Sequence, residues 1–354
     1  MRTKAIVITV LAIAGMTFRI PTGIPAEQQT KPAAPYQLYF NNGSVFIVSS
    51  SHQDTAWMDT PAACRQFRVE HNIMPALEMM RNNPDYTFCM EGTLHLMEFL
   101  EAHPELRDEV IQRMKEGRLE FGATYNQPYE SWLSGEELVR ETYFGRRWIK
   151  KNLPGCDAQV AFNPDPPARS LQMQQILSRA GIPYMFISRY HEGLYRWQSP
   201  DGSSVLLYSP GHYGNHRVFL NGKPEDCAHA ILGKLDQQGS YYQQRSIPPT
   251  YCLINSEDFS RPVDFASLIR FWNQQPAAPD GAKPPLMRYA SIREFFLAID
   301  KPSAHFDTLR GERPDVWVYI TGPDAPLDGL TQARSGATAS RRGNVHHLRL
   351  SARR

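Results

Sequence analysis

The chain has 354 residues, enough for one large α/β domain or two ordinary ones. Basic and acidic residues nearly cancel to a formal charge of +2, so no global field selects for nucleic acid or an acidic membrane surface. Five scattered cysteines without a C-x-x-C pair exclude a cysteine zinc site and a disulfide framework, leaving room for one bridge after export.

Arg2 and Lys4 precede the apolar run Ala5–Ala14, the layout of a secretory signal. The run is shorter than the roughly 20 apolar residues of a spanning helix, so no stable membrane span is expected, with an uncleaved anchor as the lesser alternative. Residues up to Tyr36 are rich in Pro, Ala and Gln and read as a linker, which places the mature domain in the periplasm or outside the cell.

Val45-Phe46-Ile47-Val48 has the composition of a buried strand and leads into His52, Asp54 and Trp57. Residues two apart on an extended chain face the same side, so the imidazole of His52 and the carboxylate of Asp54 converge just past the strand. That spacing fits a metal pair and equally a hydrogen bond within a loop. Apolar positions at helical spacing follow over Ala62–Arg81, stopped by Asn82-Asn83-Pro84. Tyr86–Met90 reads as a strand ending at Glu91, then helices over Thr93–Ala102 and from Pro104 to Gly117, then a strand over Leu119–Tyr125.

Ser134-Gly-Glu-Glu137 is a capping box that starts a helix running through Lys150. Gln159–Phe162 is a strand broken by Asn163-Pro164-Asp165-Pro166-Pro167, Ser170–Ala180 a helix, and Tyr184–Ser188 a strand followed by Arg189. Trp197–Tyr208 reads as a hairpin around Asp201-Gly202, inserted into the alternating core. Tyr251–Ile254 delivers Glu257 and Asp258, and helix Val263–Gln274, strand Leu286–Ala290 and helix Ile292–Ile299 close the series.

This alternation predicts a parallel β/α architecture. No glycine-rich phosphate fingerprint follows any strand, which removes the nucleotide-binding form of an open doubly wound sheet. His52/Asp54, Glu91, Asp165, Arg189 and Glu257/Asp258 each come just after a strand, as in a barrel with one central site. Imidazole and carboxylates suit zinc, and a metal, two carboxylates in different surroundings, an arginine and an aromatic face suit glycoside hydrolysis. The nucleophile of such an enzyme must stay ionised, which Arg189 favours, and its acid must stay protonated, for which Glu257 beside Asp258 supplies a neighbouring carboxylate.

The motifs HQDTAW from His52, YNQPYESWLSGEELVR over Tyr125–Arg140, Asp165-Pro-Pro-Ala-Arg-Ser170, Ile187-Ser-Arg189 and Ser256-Glu-Asp258-Phe stand in one order. In that order and spacing the chain resembles the catalytic domain of glycoside hydrolase family 38, the α-mannosidases, over roughly residues 44–320. The resemblance implies a seven-stranded β/α barrel over residues 37–323 and a retaining, zinc-dependent exo-hydrolase of α-mannosyl glycans. It implies that His52, Asp54 and Asp165 hold the zinc, that Asp165 is the nucleophile, and that Asp258 is the acid/base with Glu257 beside it. Arg189 would orient the nucleophile, Trp57 would wall the sugar pocket, and Tyr213 would face the substrate.

Two departures stand out. The family's glycine-histidine pair after the nucleophile is replaced within Pro167-Ala168-Arg169, and its fourth zinc ligand, a histidine beyond the acid/base, has no clear counterpart. Residues 316–323 remain family-like, whereas 324–354 have no apolar period and read as a truncated or out-of-frame tail, with His346 and His347 as weak stand-in ligands. A metal-dependent glycan deacetylase on a related barrel and an inactive mannose-binding remnant are the alternatives.

Overall fold

The computed structural model describes residues 38–166, 169–277 and 281–313. The expected export segment and linker (1–36), residues 316–323, the tail with His346 and His347, and Pro167 and Ala168 lie outside the described residues.

Among the described residues there are ten strands, separated by helices except within the run β5–β6–β7: β1 (Ser44–Ser49), β2 (Phe88–Met90), β3 (Leu119–Phe121), β4 (Val160–Asn163), β5 (Tyr184–Ile187), β6 (Gly193–Gln198), β7 (Ser204–Ser209), β8 (Thr250–Asn255), β9 (Leu286–Tyr289) and β10 (Asp307–Arg310). The apolar run that defines β1 is buried throughout, and both of its edges are paired in parallel, with β8 from Ser44↔Thr250 to Ser49↔Asn255 and with β9 from Ser44↔Leu286 to Ile47↔Tyr289. A strand buried on both faces and both edges belongs to the middle of a sheet, which is why its sequence is continuous rather than alternating.

β10, β6, β7, β5 and β4 form a second sheet in that order, parallel except at β6/β7, and β2 and β3 form a parallel pair. A bridge between Ser50 and Cys89 sets β2 beside β1, and Ala123 N donates to Val160 O at 2.7 Å to set β3 beside β4. Among the described residues the strands therefore form three sheets, linked by these two contacts, and no closed barrel. The architecture is α/β with mostly parallel strands, whose apolar side chains join one continuous core that includes the stacked Phe162–Phe186 and Tyr184–Phe296 pairs.

The Gly202 hairpin forms as expected but is not an insertion. β7 pairs with β5 through Tyr184↔Leu206, and Val205-Leu206-Leu207-Tyr208 is fully buried, the mark of an interior strand. Helix Pro224–Gln244, with 21 residues, and strand β10 were not anticipated, because their polar sequences hide the period. In the helix the signals were Pro224 at the first position and apolar Cys227, Ala228, Ile231 and Leu235 on one face. The helix expected over Ala62–Arg81 is divided into Pro61–Phe67, a π-helical turn Arg68–Ile73, and Met74–Asn82. Pro75 lacks the N–H that an unbroken α-helix would use there, and the wider turn ends against it.

Ser134 caps helix Gly135–Asn152 through a complete capping box, and Gly145 of that helix packs directly on Thr93, where an added Cβ would lie 1.7 Å from Thr93 Oγ1. Gly233, in the exposed middle of helix Pro224–Gln244, has nothing within 4 Å of that position. The two glycines should respond oppositely to alanine. Gly145→Ala is expected to lose about 1–3 kcal/mol by overpacking, and Gly233→Ala to gain about 0.5–1 kcal/mol of helix propensity. Chemical denaturation of both variants checks this, and shifts of the same sign would refute the packing read here.

Candidate active site

The ladder between β1 and β8 does not stop at the strand ends. Ser50 N donates to Asn255 O at 2.7 Å, His52 N to Glu257 O at 2.9 Å, and Phe259 N back to His52 O at 3.0 Å. This carries His52, only 2% exposed, to a position beside Asp258.

At the end of β2, the fully buried Glu91 receives His52 Nδ1–H at 2.7 Å. Its other oxygen accepts from Gln53 N at 3.0 Å and Gln127 Nε2 at 2.8 Å. With Nδ1 committed to Glu91, Nε2 faces outward, 3.5 Å from Asp54 Oδ1 and 4.0 Å from Asp258 Oδ1. Burial pulls the imidazole down, but the charge and hydrogen bonds of Glu91 and Asp54 outweigh it and leave His52 well above the ordinary histidine value.

Asp165 follows β4. Its backbone N–H donates to Gln127 Oε1 at 3.0 Å, so one amide side chain ties Asp165 to the carboxylate that holds His52. Arg189, after β5, grips Asp165 through a 2.9 Å bond from Nε to Oδ1, a second contact from its terminal nitrogen, and a 3.0 Å bond from Nε to the backbone oxygen. Arg189 itself has φ of +56°, and Phe259, next to Asp258, +48°. Non-glycine residues in this region are strained, and such strain clusters at functional sites.

Donor atoms of His52, Asp54 and Asp165 lie within 4.8 Å of one another, one nitrogen and two carboxylate oxygens. That donor set fits zinc, with the Glu91 bond supplying the outer-shell partner that a metal-bound histidine normally has.

Asp258 is half exposed and accepts from the Tyr213 hydroxyl at 2.8 Å. The Tyr213 ring lies 4.8 Å from that of His52, with the Arg189 guanidinium 5.7 Å from its centroid. Burial and the bond to Asp258 push the Tyr213 phenol up, so it stays a donor. These side chains surround a cavity of about 180 Å³ lined by His52, Asp54, Trp57, Asp165, Arg189, Tyr213 and Asp258 among others. A second cavity of about 330 Å³ adjoins it, sharing His52, Asp54, Trp57, Tyr129 and Asp165 and reaching Asn126 and Gln127. Trp57 stands at the rim, 69% exposed.

Glu257 is placed differently from the rest. Its carboxylate pairs with Arg217 at 3.3 Å and lines neither of these two cavities. Its backbone oxygen, holding His52, is its contribution to the geometry. Sequence marks Glu91 only as an acid just after a strand, and leaves Gln127 and Tyr129 without individual roles inside the Tyr125–Arg140 motif, which is the signal that could have found them.

The departure at Arg169 has its own partner. The buried Glu130 accepts from Arg169 NH1 at 3.2 Å and from Ser170 N at 2.7 Å, while Arg169 NH2 reaches Asn163 O at 2.6 Å. These bonds tie the Tyr125–Arg140 segment to the loop that carries Asp165. Burial pushes Glu130 up to about 7, against the pull of Arg169 and Ser170. A raised carboxyl favours its protonated form in the fold, so its contribution is complete below about 4.5 and is lost as pH rises toward 7. Wild type is expected to lose roughly 3 kcal/mol relative to Glu130→Gln across that window. Denaturation of both proteins at a series of pH values measures it, and a pH-independent difference would contradict the assignment.

Comparison with known proteins gives this arrangement a family. The glycosyl hydrolases family 38 N-terminal domain matches residues 42–319. An α-mannosidase of Saccharomyces cerevisiae is 26% identical over 177 residues, 47% of this chain and 16% of that protein. An α-mannosidase 2 of Drosophila melanogaster is 26% identical over 151 residues, 42% of this chain and 13% of that protein. The matched regions are thus a small part of these relatives. The crystal structure of an α-mannosidase from Enterococcus faecalis V583 shares the fold at a TM-score of 0.64 and 19% identity, covering 77% of this chain and 31% of that one. With the match extending over most of its length, the chain belongs to glycoside hydrolase family 38.

Proposed function

We propose that the chain carries the catalytic site of a retaining, zinc-dependent α-mannosidase acting on terminal α-mannosyl residues of oligosaccharides. The observation that carries this is the convergence of Asp165, held by Arg189, with His52 and Asp54 in a cavity that Asp258 also lines. Retaining glycosidases use two carboxyls about 5–5.5 Å apart, one as nucleophile and one as acid/base.

In this reading Asp165 attacks the anomeric carbon, with Arg189 fixing the attacking carboxylate. Asp258 protonates the departing oxygen and then takes the proton of the incoming water. The Tyr213 hydroxyl, donating to Oδ1 of Asp258, leaves the other oxygen to carry that proton. Its half-exposed position suits a group that exchanges protons with the leaving group and with water. Zinc held by His52, Asp54 and Asp165 would supply an electrophilic grip on adjacent sugar hydroxyls. Trp57 would offer an apolar wall to the sugar, and Glu257, paired with Arg217, would flank the acid/base.

The seven-stranded barrel belongs to the same proposal. Its support is that β8, β1, β2, β3, β4, β5 and β7 follow one another in that order through parallel ladders, the Ser50–Cys89 bridge and the Ala123–Val160 bond. A catalytic unit over residues 37–323 is supported by the span of the family match. Export is supported by the charged and apolar pattern of residues 2–14, and among the described residues no helix is long and apolar enough to cross a membrane.

The test is hydrolysis of an aryl α-mannoside together with zinc content. Activity is expected to vanish on chelator dialysis and return with zinc. Asp258→Asn should lower kcat by about 10²–10⁴, and Asp165→Asn at least as much. Turnover that survives Asp165→Asn would remove its nucleophilic role. Release of acetate from an acetylated glycan, or mannose binding without turnover, would replace the proposal with a deacetylase or a lectin-like reading.

A further inference from the structure

Asp54 stands in a stretch, from Asp54 to Met58, that forms neither helix nor strand. Such a segment does not by itself hold a carboxylate to the tolerance that a metal site needs. The structure supplies an outside support. Arg68, completely buried, spends two arms on Glu98, with Nε 3.0 Å from Oε2 and NH2 2.8 and 3.0 Å from the two oxygens. Its third arm, NH1, donates to the backbone oxygen of Asp54 at 2.7 Å.

One turn on, Asn72 Nδ2 donates to Ser260 O at 2.5 Å, an oxygen that also accepts from Ser51 Oγ at 2.7 Å. Arg68 and Asn72 both belong to the π-helical turn Arg68–Ile73. Turns of this kind are rare and recur at functional sites. Here one of them holds the loop of His52 and Asp54 and the loop of Asp258 from beneath.

We propose that this turn is a clamp in which Arg68 is a positioning residue: its buried fork sets the place of Asp54 and thereby the metal affinity of the site. The fork geometry is the reason for arginine. A guanidinium can pair bidentately with Glu98 on one edge and still reach Asp54 from the other, whereas the compact ammonium of lysine has its three donors on a single atom and cannot span both partners in that geometry. The inference rests on the zinc reading above, and the experiment separates the two.

Zinc affinity of the full chain is measured by competition with a chromophoric chelator, with the Co²⁺ absorption spectrum as a report on ligand geometry and the metal-free Tm as a report on folding. Arg68→Lys is expected to keep the metal-free Tm within a few degrees, weaken zinc about ten-fold or more and alter the cobalt bands. Arg65→Lys, whose arginine pairs with the exposed Glu101 at 2.9 Å, serves as the control and should match wild type in all three. If Arg68→Lys does not fold, the charge-free Arg68→Gln/Glu98→Gln pair replaces it with the same expected loss of affinity. Wild-type zinc affinity and cobalt bands in the folded variant overturn the clamp alone. A wild-type chain that takes up no metal overturns the zinc reading and the clamp with it.

Discussion

The parallel pairing of β1 with β8, continued beyond both strands, is the constraint on which the site depends. Through β1 the chain is held on both edges, and past Ser49 the ladder runs on through Ser50, His52 and Phe259. Extending a ladder past the regular strand removes backbone freedom where the polar side chains begin. His52, Glu257 and Asp258, from opposite ends of the domain's sequence, are thereby set in register by backbone bonds. The acid Glu91 enters from β2 by the same logic, through the bridge at Ser50 and Cys89.

Charge compensation explains why the polar site can sit on so apolar a base. Glu91 is surrounded by three donors, and Arg68 by Glu98 and a backbone oxygen. A buried ion stripped of its partner costs several kcal/mol, so each such group constrains the position of the next. Gln127 is a small instance with a large reach. By donating to Glu91 and accepting from Asp165 N, it makes His52 and the carboxylate gripped by Arg189 parts of one network. The strained φ values of Arg189 and Phe259 are tolerated within that network, because the neighbouring bonds leave little alternative.

Local chemistry was readable wherever a residue's role is set within a few positions of itself. The capping box at Ser134, the turn at Gly202, the helices Thr93–Ala102 and Ile292–Ile299, and the buried run of β1 all follow from side-chain period and cap chemistry. The occurrence of His52, Asp54, Asp165, Arg189 and Asp258 just after strands was equally legible, since strand ends are marked by where apolar runs give way to polar residues. A polar β10 and a glutamine-rich Pro224–Gln244 were not, because their apolar contacts are sparse along the chain.

What only the tertiary structure decided is who meets whom. Sequence places Glu257 next to Asp258, yet adjacent residues on an extended chain face opposite ways, and Glu257 turns to Arg217. It marks Glu91 as an acid after a strand but cannot say that its partner is the imidazole of a residue 39 positions earlier. Nor does it show that the Gly202 hairpin lies inside the sheet, or that Arg68 reaches Asp54 from a π-helical turn. Period and composition report which side of an element is apolar. The identity of the group across from it depends on register between distant strands, and that is a property of the folded chain alone.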